Sequence, residues 1–250
     1  MDETVTELEN FDPDWLALRE PVDHATRSRR LEGLLAARLT DRERVRVVDL
    51  GAGSGSTLRH LAPRLQELGV AAEQEWVLVD HDEDLLARAL ATPVPAAASV
   101  ATATVDLADR DAVRDVLSGA DVVVGSALLD VLPAPVATGL VEVLSTLDPR
   151  PAVLFVLTVA GGATSEPEVP GVAEGFDADQ RVHGLGPDAT GHVADAFAAH
   201  GWSVEREATP WRLSTSPLLD AWAEGWFAAA GVPAQPLSAA VVPHEDLLAQ

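Results

Sequence analysis

The chain has 250 residues, of which 47% are hydrophobic and 23% charged, with 17 basic side chains against 40 acidic ones and a formal charge of −23. It holds no Cys, no Tyr and no Lys, which excludes disulfides, thiolate nucleophiles, cysteine metal sites, Schiff-base lysines, the Lys-dependent P-loop and Tyr–Lys dehydrogenase chemistry. A surface this acidic repels phosphate backbones and anionic membranes, and no apolar run approaches the roughly 20 residues that span a bilayer, so a small-molecule substrate is expected, with no nucleic acid and no membrane.

The N-terminal stretch MDETVTELENFDPDW is acidic and lacks the basic start and apolar centre of a secretory signal, so a cytoplasmic chain is expected. A helical pattern then covers about 24–39, within an N-terminal helical cap of 1–40, and the cluster Arg27, Arg29 and Arg30 is expected on its charged face. Short apolar runs at 44–50 (RVRVVDL), 75–80 (EWVLVD), 99–105 (SVATATV), 121–126 (DVVVGS) and 152–159 (AVLFVLTV) predict strands. They alternate with helical stretches near 56–69, 82–91, 109–118 and 134–147, the first carrying Leu58, Leu61, Leu65 and Leu68 at helical spacing, with Pro63 expected to kink it. Five β-α repeats with Val-rich strands predict an α/β fold. Its doubly wound sheet is mostly parallel, is covered by helices on both faces, and places its ligand edge at the strands' C-terminal ends.

Residues 160–186 break that rhythm with Gly, Pro and acids; the readings are a lid over the ligand edge or a disordered surface insertion. A helix near 187–200 follows, and then WSVERE (202–207), the turn ATP and WRLS (211–214) predict an antiparallel C-terminal hairpin. The last helix, about 216–230, sets Trp222 and Trp226 one turn apart for core packing, with a pocket wall or a homodimer contact as alternatives. All of this makes one domain over 1–250: the cap, a core over 44–214, and a C-terminal helix and tail over 216–250.

The most specific feature is VVDLGAGSGS (47–56). In a strand–turn–helix unit, glycines let the backbone approach a ligand and the helix start offers free N–H groups. Here Gly51-Ala52-Gly53-Ser54-Gly55 is spaced G-x-G-x-G, unlike the G-x-G-x-x-G of dinucleotide binding. Asp49 precedes it at the strand's end. A carboxylate there opposes a pyrophosphate but suits a ligand carrying an ammonium or sulfonium charge.

The stretch resembles motif I of class I S-adenosylmethionine-dependent methyltransferases, and further segments match in order. WVLVDHDEDLLARA is similar to the second strand, whose terminal acid, here Asp80, holds the ribose hydroxyls, with His81 flanking the adenine. TVDLAD resembles the segment after the third strand, which implies Asp106 at the adenine amino group and the Leu107 backbone at the ring. ADVVVGSALLDVL matches the fourth strand with its following motif, including Ser126. The likeness spans about 44–160, with the 202–214 hairpin standing for the family's last two strands. FDPDWLALREPVDHATRSRR looks like a lead-in of actinobacterial members, which implies a segment folded over the cofactor with Arg19 at the methionine carboxylate. The resemblance implies a Rossmann-like core, S-adenosylmethionine as cofactor, S-adenosylhomocysteine as product, and a small-molecule acceptor.

Methyl transfer is an in-line displacement that depends mainly on alignment and exclusion of water, with a base needed only for a protonated hydroxyl or amine. The candidates are Asp130, after the fourth strand, and His183, in the 160–186 segment. No His, Asp or Glu set has metal spacing, so no metal is expected. The competing readings are an NAD(P)-dependent oxidoreductase, an aminopropyltransferase, whose acid-rich strand-four end SALLD lacks, and a non-catalytic adenosyl-ligand-binding protein.

Overall fold

The computed structural model describes residues 12–250. Positions 1–11 of the expected cap lie outside the described residues. Asp12 caps helix α1 (Pro13–Thr26), its carboxylate accepting from the Asp14 N–H at 2.8 Å, and proline fits the first helical turn because its missing donor would be unused there. The single helix expected over 24–39 is instead two. Arg27 turns out to an extended ψ, and Ser28 starts α2 (Arg29–Ala37) by accepting from the Leu31 N–H at 3.0 Å.

The repeats then run as β1 (Arg44–Leu50), α3 (Ser56–Glu67), β2 (Glu73–Asp80), α4 (Glu83–Ala91), β3 (Ser99–Thr104), α5 (Arg110–Leu117), β4 (Val122–Ser126), α6 (Ala134–Thr146) and β5 (Ala152–Val159). Helix α3 continues through Pro63. The segment 160–186 is built as β6 (Thr164–Glu166) and α7 (Val172–His183), so it is neither irregular nor a bare connection. After it come α8 (Ala189–Ala199), β7 (Val204–Ala208), β8 (Trp211–Ser214), α9 (Pro217–Ala229), β9 (Ala239–Val242) and β10 (His244–Ala249).

The seven-stranded sheet has the order β3-β2-β1-β4-β5-β10-β7, with β1 to β5 parallel and β10 antiparallel to both its neighbours. Alternate residues of β1 feed two apolar layers. Val48 and Leu50 pack on the α5, α6 and α8 side, while Val45 and Val47 pack on the α2, α3 and α4 side. Both faces of β1, β2, β4 and β5 are largely buried, which is why these strands are Val-rich rather than alternating, while the edge strand β3 is mostly exposed.

The expected C-terminal hairpin is corrected in its pairing. β7 and β8 do not pair with each other: β7 pairs with β10, and β8 joins β9 and β6 in a separate three-stranded sheet. The last core strand therefore comes from 244–249, inside what sequence leaves as a tail. It is pinned by Asp246, which sits at a bulge in β10 and is fully buried. Its carboxylate accepts from the Leu157 N–H (2.8 Å), the Ser28 N–H (2.7 Å) and the Thr209 hydroxyl (2.9 Å), joining β5, the α2 start and the β7–β8 turn. The small sheet packs on α7 and α9 as a third apolar cluster around Trp211, Trp222, Trp226 and Phe227. No helix among the described residues is long and apolar enough to cross a membrane.

Candidate functional site

The C-terminal ends of β1, β2 and β4 open into a cavity of about 600 Å³. Its floor is the glycine loop. Gly51, Gly53 and Gly55 have φ of +63°, +51° and +84°, a region that side chains disfavour. A Cβ on Gly51 would lie 2.9 Å from Leu128 Cδ1, and one on Gly55 would lie 2.9 Å from Ala89 Cβ. The loop is thus packed from one side by the turn after β4 and from the other by α4. Around Gly53 only Leu16 Cδ1 comes near, at 3.7 Å, so this backbone is the part left open to the cavity.

Asp80, at the end of β2, holds the loop in place. Its Oδ2 accepts from the Gly53 N–H at 2.7 Å and its Oδ1 from the Asp82 N–H at 3.0 Å. The His81 ring lies beside it, Nδ1 3.3 Å from Oδ1, and both residues line the cavity. Asp49 lies beneath, fully buried, with neither carboxylate oxygen hydrogen-bonded. Burial pushes it up to about 8, with the charge of Asp80 adding to the rise and that of Arg27 opposing it.

Arg27 itself is a correction. Instead of lying on a charged helix face, it is buried, with its guanidinium donating to Thr57 Oγ1 (3.3 Å) and Ser126 Oγ (3.4 Å) and its Nε unpartnered. Arg30 does lie on the surface, paired with Glu205 at 3.0 Å and Glu207 at 2.8 Å.

Helix α1 covers the loop. Leu16 contributes to the cavity wall, Glu20 pairs with Arg59, whose guanidinium also donates to the Ser54 carbonyl at 2.6 Å, and His24 Nε2 meets Ser56 Oγ at 3.0 Å. Burial and the nearby Arg27 lower His24 to about 4, which keeps it neutral. Arg19 lines the cavity, bonded to Asp23 at 2.8 Å and lying 5.0 Å over the Trp211 ring.

The far wall is built by the C-terminal half, with Phe176 from α7, Trp222 and Trp226 stacked at 4.9 Å on α9, and Trp211 against His244 at 4.8 Å. His244 Nδ1 faces the Val242 carbonyl at 3.0 Å, and burial lowers the ring to about 3, so it is a neutral imidazole.

Between the two halves, the turn after β4 carries Ala127 at φ +50°, a strained conformation for a residue with a Cβ, held by the Ala127 N–H donating to the Val156 carbonyl at 2.9 Å. This turn brings Ser126 and Asp130 to the cavity wall. Asp130 is 5% exposed, its Oδ1 has no partner, and burial raises it to about 6.

Of the residues singled out from sequence, the cavity gathers Arg19, Gly51, Ala52, Gly53, Asp80, His81, Leu107, Ser126, Asp130 and His183. Asp49 lies under its floor, and Gly55 caps α3 outside the lining. Asp106 does not reach the wall either; it is exposed, and its carboxylate closes a turn on the Ala108 N–H at 2.8 Å. His183 ends α7 with most of its side chain in solvent, 3.8 Å from Asp179. Sequence reading missed Trp15, Leu16, Asp23, Phe176 and His244, although Arg19 and Asp23 stand four apart on a helix, a spacing that signals a pair.

No protein-family model matches the sequence, and none of the curated proteins is detectably similar to it. Solved structures are similar in shape. The YcgJ protein from Bacillus subtilis superposes with a TM-score of 0.53 at 12% identity, over 89% of this chain and 98% of its own. The methyltransferase domain of the bacterial CtHen1-CN protein superposes with a TM-score of 0.50 at 14% identity, over 93% of this chain and 99% of its own. With its strand order, antiparallel final strands and glycine loop, this chain has the class I methyltransferase fold.

Proposed function

We propose that the protein is an S-adenosylmethionine-dependent methyltransferase acting on a small-molecule acceptor. The observation that carries this reading is the fully buried, unpartnered Asp49 beneath an open glycine loop. Burial holds Asp49 protonated in the ligand-free chain, and a cationic ligand above it would favour its ionised form and be held by that charge. The lining agrees: among the described residues it holds five aspartates and one arginine, which favours a ligand with ammonium and sulfonium charges over one with a pyrophosphate. The same imbalance argues against the NAD(P) reading.

Gly51, Ala52 and Gly53 would hold the cofactor against the loop backbone, Asp80 and His81 would meet its ribose and adenine side with Leu107, and Arg19 with Ser126 would flank its amino-acid end. When bound, that group supplies an electrophilic methyl carbon on a sulfonium. The chain's own contribution is alignment and exclusion of water, with α1 closing the loop side and α7 and α9 the other. The 160–186 segment is proposed as the lid of the acceptor side, because α7 in it faces both α9 and the turn bearing Asp130.

Calorimetry with S-adenosylmethionine, S-adenosylhomocysteine and NAD tests the reading. Micromolar binding of the two adenosyl ligands and none of NAD is expected. Binding of NAD alone would overturn it. A protein that binds S-adenosylmethionine but transfers no methyl group to any acceptor in a metabolite extract would instead be an adenosyl-ligand-binding protein.

A further inference from the structure

Resting on the methyltransferase reading, we propose that the acceptor is an uncharged planar aromatic compound whose ring hydroxyl is the methylated group, seated against the Phe176–Trp222–Trp226 wall with its O–H donated to Asp130 Oδ1. Among the residues lining the cavity, three buried polar atoms lack partners, Asp130 Oδ1 and the indole N–H groups of Trp211 and Trp226. Asp130 Oδ1 wants a donor and the Trp226 indole N–H wants an acceptor. Both side chains are more than nine-tenths buried and border the cavity, and a molecule seated there is the partner we assign to each. Phe176 on α7 and the stacked Trp222–Trp226 pair on α9 belong to the same lining, and aromatic side chains favour a flat ring as their neighbour. An anionic acceptor is excluded by the acids on the lining, whose one arginine, Arg19, is the residue assigned to the cofactor's amino-acid end.

A protonated amine would satisfy Asp130, but it has no lone pair with which to attack. A hydroxyl satisfies Asp130 and can still attack, because it donates its proton to the carboxylate and keeps a lone pair on oxygen. In the step, that oxygen pair forms the O–C bond to the methyl carbon as the C–S bond breaks, leaving its electron pair on sulfur. The hydroxyl proton passes to Asp130, which later releases it to water. Burial raises Asp130 to about 6, which makes it a stronger base than an exposed aspartate while leaving it ionised near pH 7. His183 is the poorer base by placement, since most of its side chain faces solvent. Trp226 supplies the second contact, which calls for a carbonyl or ether oxygen elsewhere on the acceptor ring.

The test uses the full chain loaded with S-adenosylhomocysteine for binding and with S-adenosylmethionine for turnover. The probes are 6-hydroxycoumarin, coumarin without the hydroxyl, and the 4-hydroxybenzoate anion. Expected are calorimetric binding of 6-hydroxycoumarin at least tenfold tighter than of 4-hydroxybenzoate, and methylation on its oxygen. Asp130→Asn should cut turnover at least a hundredfold while S-adenosylhomocysteine binds as before. Trp226→Leu should weaken 6-hydroxycoumarin about tenfold. Should that variant fail to fold, Trp226→Phe keeps an aromatic side chain in the wall while removing the N–H with part of the ring system, with a loss of about threefold expected. Equal binding of the anion, no binding of 6-hydroxycoumarin by protein that binds S-adenosylhomocysteine, or full turnover in Asp130→Asn would each overturn the inference and leave the cofactor reading standing. Absence of adenosyl-ligand binding would overturn both.

Discussion

The two walls of the cavity are built on opposite plans. The glycine-loop wall comes from one short run, 49–57, with Asp80 from the next strand, and its geometry is written into backbone that only glycine adopts easily. The aromatic wall is assembled from α7, β8, α9 and β10, segments spread over about eighty residues, and is held by packing and by Asp246. A wall made of local conformation is specific about backbone and charge. A wall made of packing is specific about shape, and it can vary without disturbing the first.

The largest effect should appear where the second wall is pinned. Asp246→Ala leaves the donors of Ser28, Leu157 and Thr209 buried without an acceptor, at about 1–3 kcal/mol each, so a loss of about 3 kcal/mol or more is expected in urea unfolding. A loss under 1 kcal/mol would mean that β10 is held by its ladder alone.

Gly53→Arg attacks the first wall without touching the second. The cavity side of Gly53 is open, so the fold should survive with a small strain cost, while calorimetry should show S-adenosylmethionine affinity reduced at least a hundredfold, about 2.7 kcal/mol. Unchanged affinity would remove the loop from the site.

The walls should also differ in the pH limb each imposes on stability. Asp49 is raised to about 8 in the folded chain, so the folded state holds its proton where the unfolded state has lost it, and stability falls as pH rises from about 4 to 8. His244 is lowered to about 3, so its effect has the opposite sense, with stability lost as pH falls from about 6.5 towards 3. Each limb is worth at most about 1.4 kcal/mol per pH unit. Ligand-free Asp49→Asn should lose the alkaline limb and keep the acid one, and His244→Gln the reverse. Both limbs surviving in Asp49→Asn would show that other carboxylates set the alkaline side.

The smallest expected effect lies at the joint between cap and core. Ser28→Ala removes the α2 N-cap and a hydrogen bond to Glu207, for a loss of about 1 kcal/mol by thermal unfolding, with S-adenosylmethionine binding unaffected. A hundredfold loss of binding instead would make α2 part of the site.

What the sequence determined by itself is whatever depends on near neighbours. Five β-α repeats follow from apolar runs and helical spacing, because periodicity records which face is buried. The glycine loop, Asp49 ahead of it and Asp80 at the next strand end are legible because their chemistry is set within a few residues. The tertiary structure alone decided the rest. Residues 244–249 look like a tail until β5 and β7 leave a slot between them, and WRLS pairs with β9 rather than with its sequence neighbour because the small sheet offers a partner that β7 has already found in β10. Arg27 looks like a surface cation until Asp49 and Asp246, from β1 and β10, join Asp23 at the end of its own helix and surround it with negative charge. Asp106 carries the expected motif yet spends its carboxylate on its own turn. Pairing and burial are decided by residues far apart in the chain, and no local pattern records them.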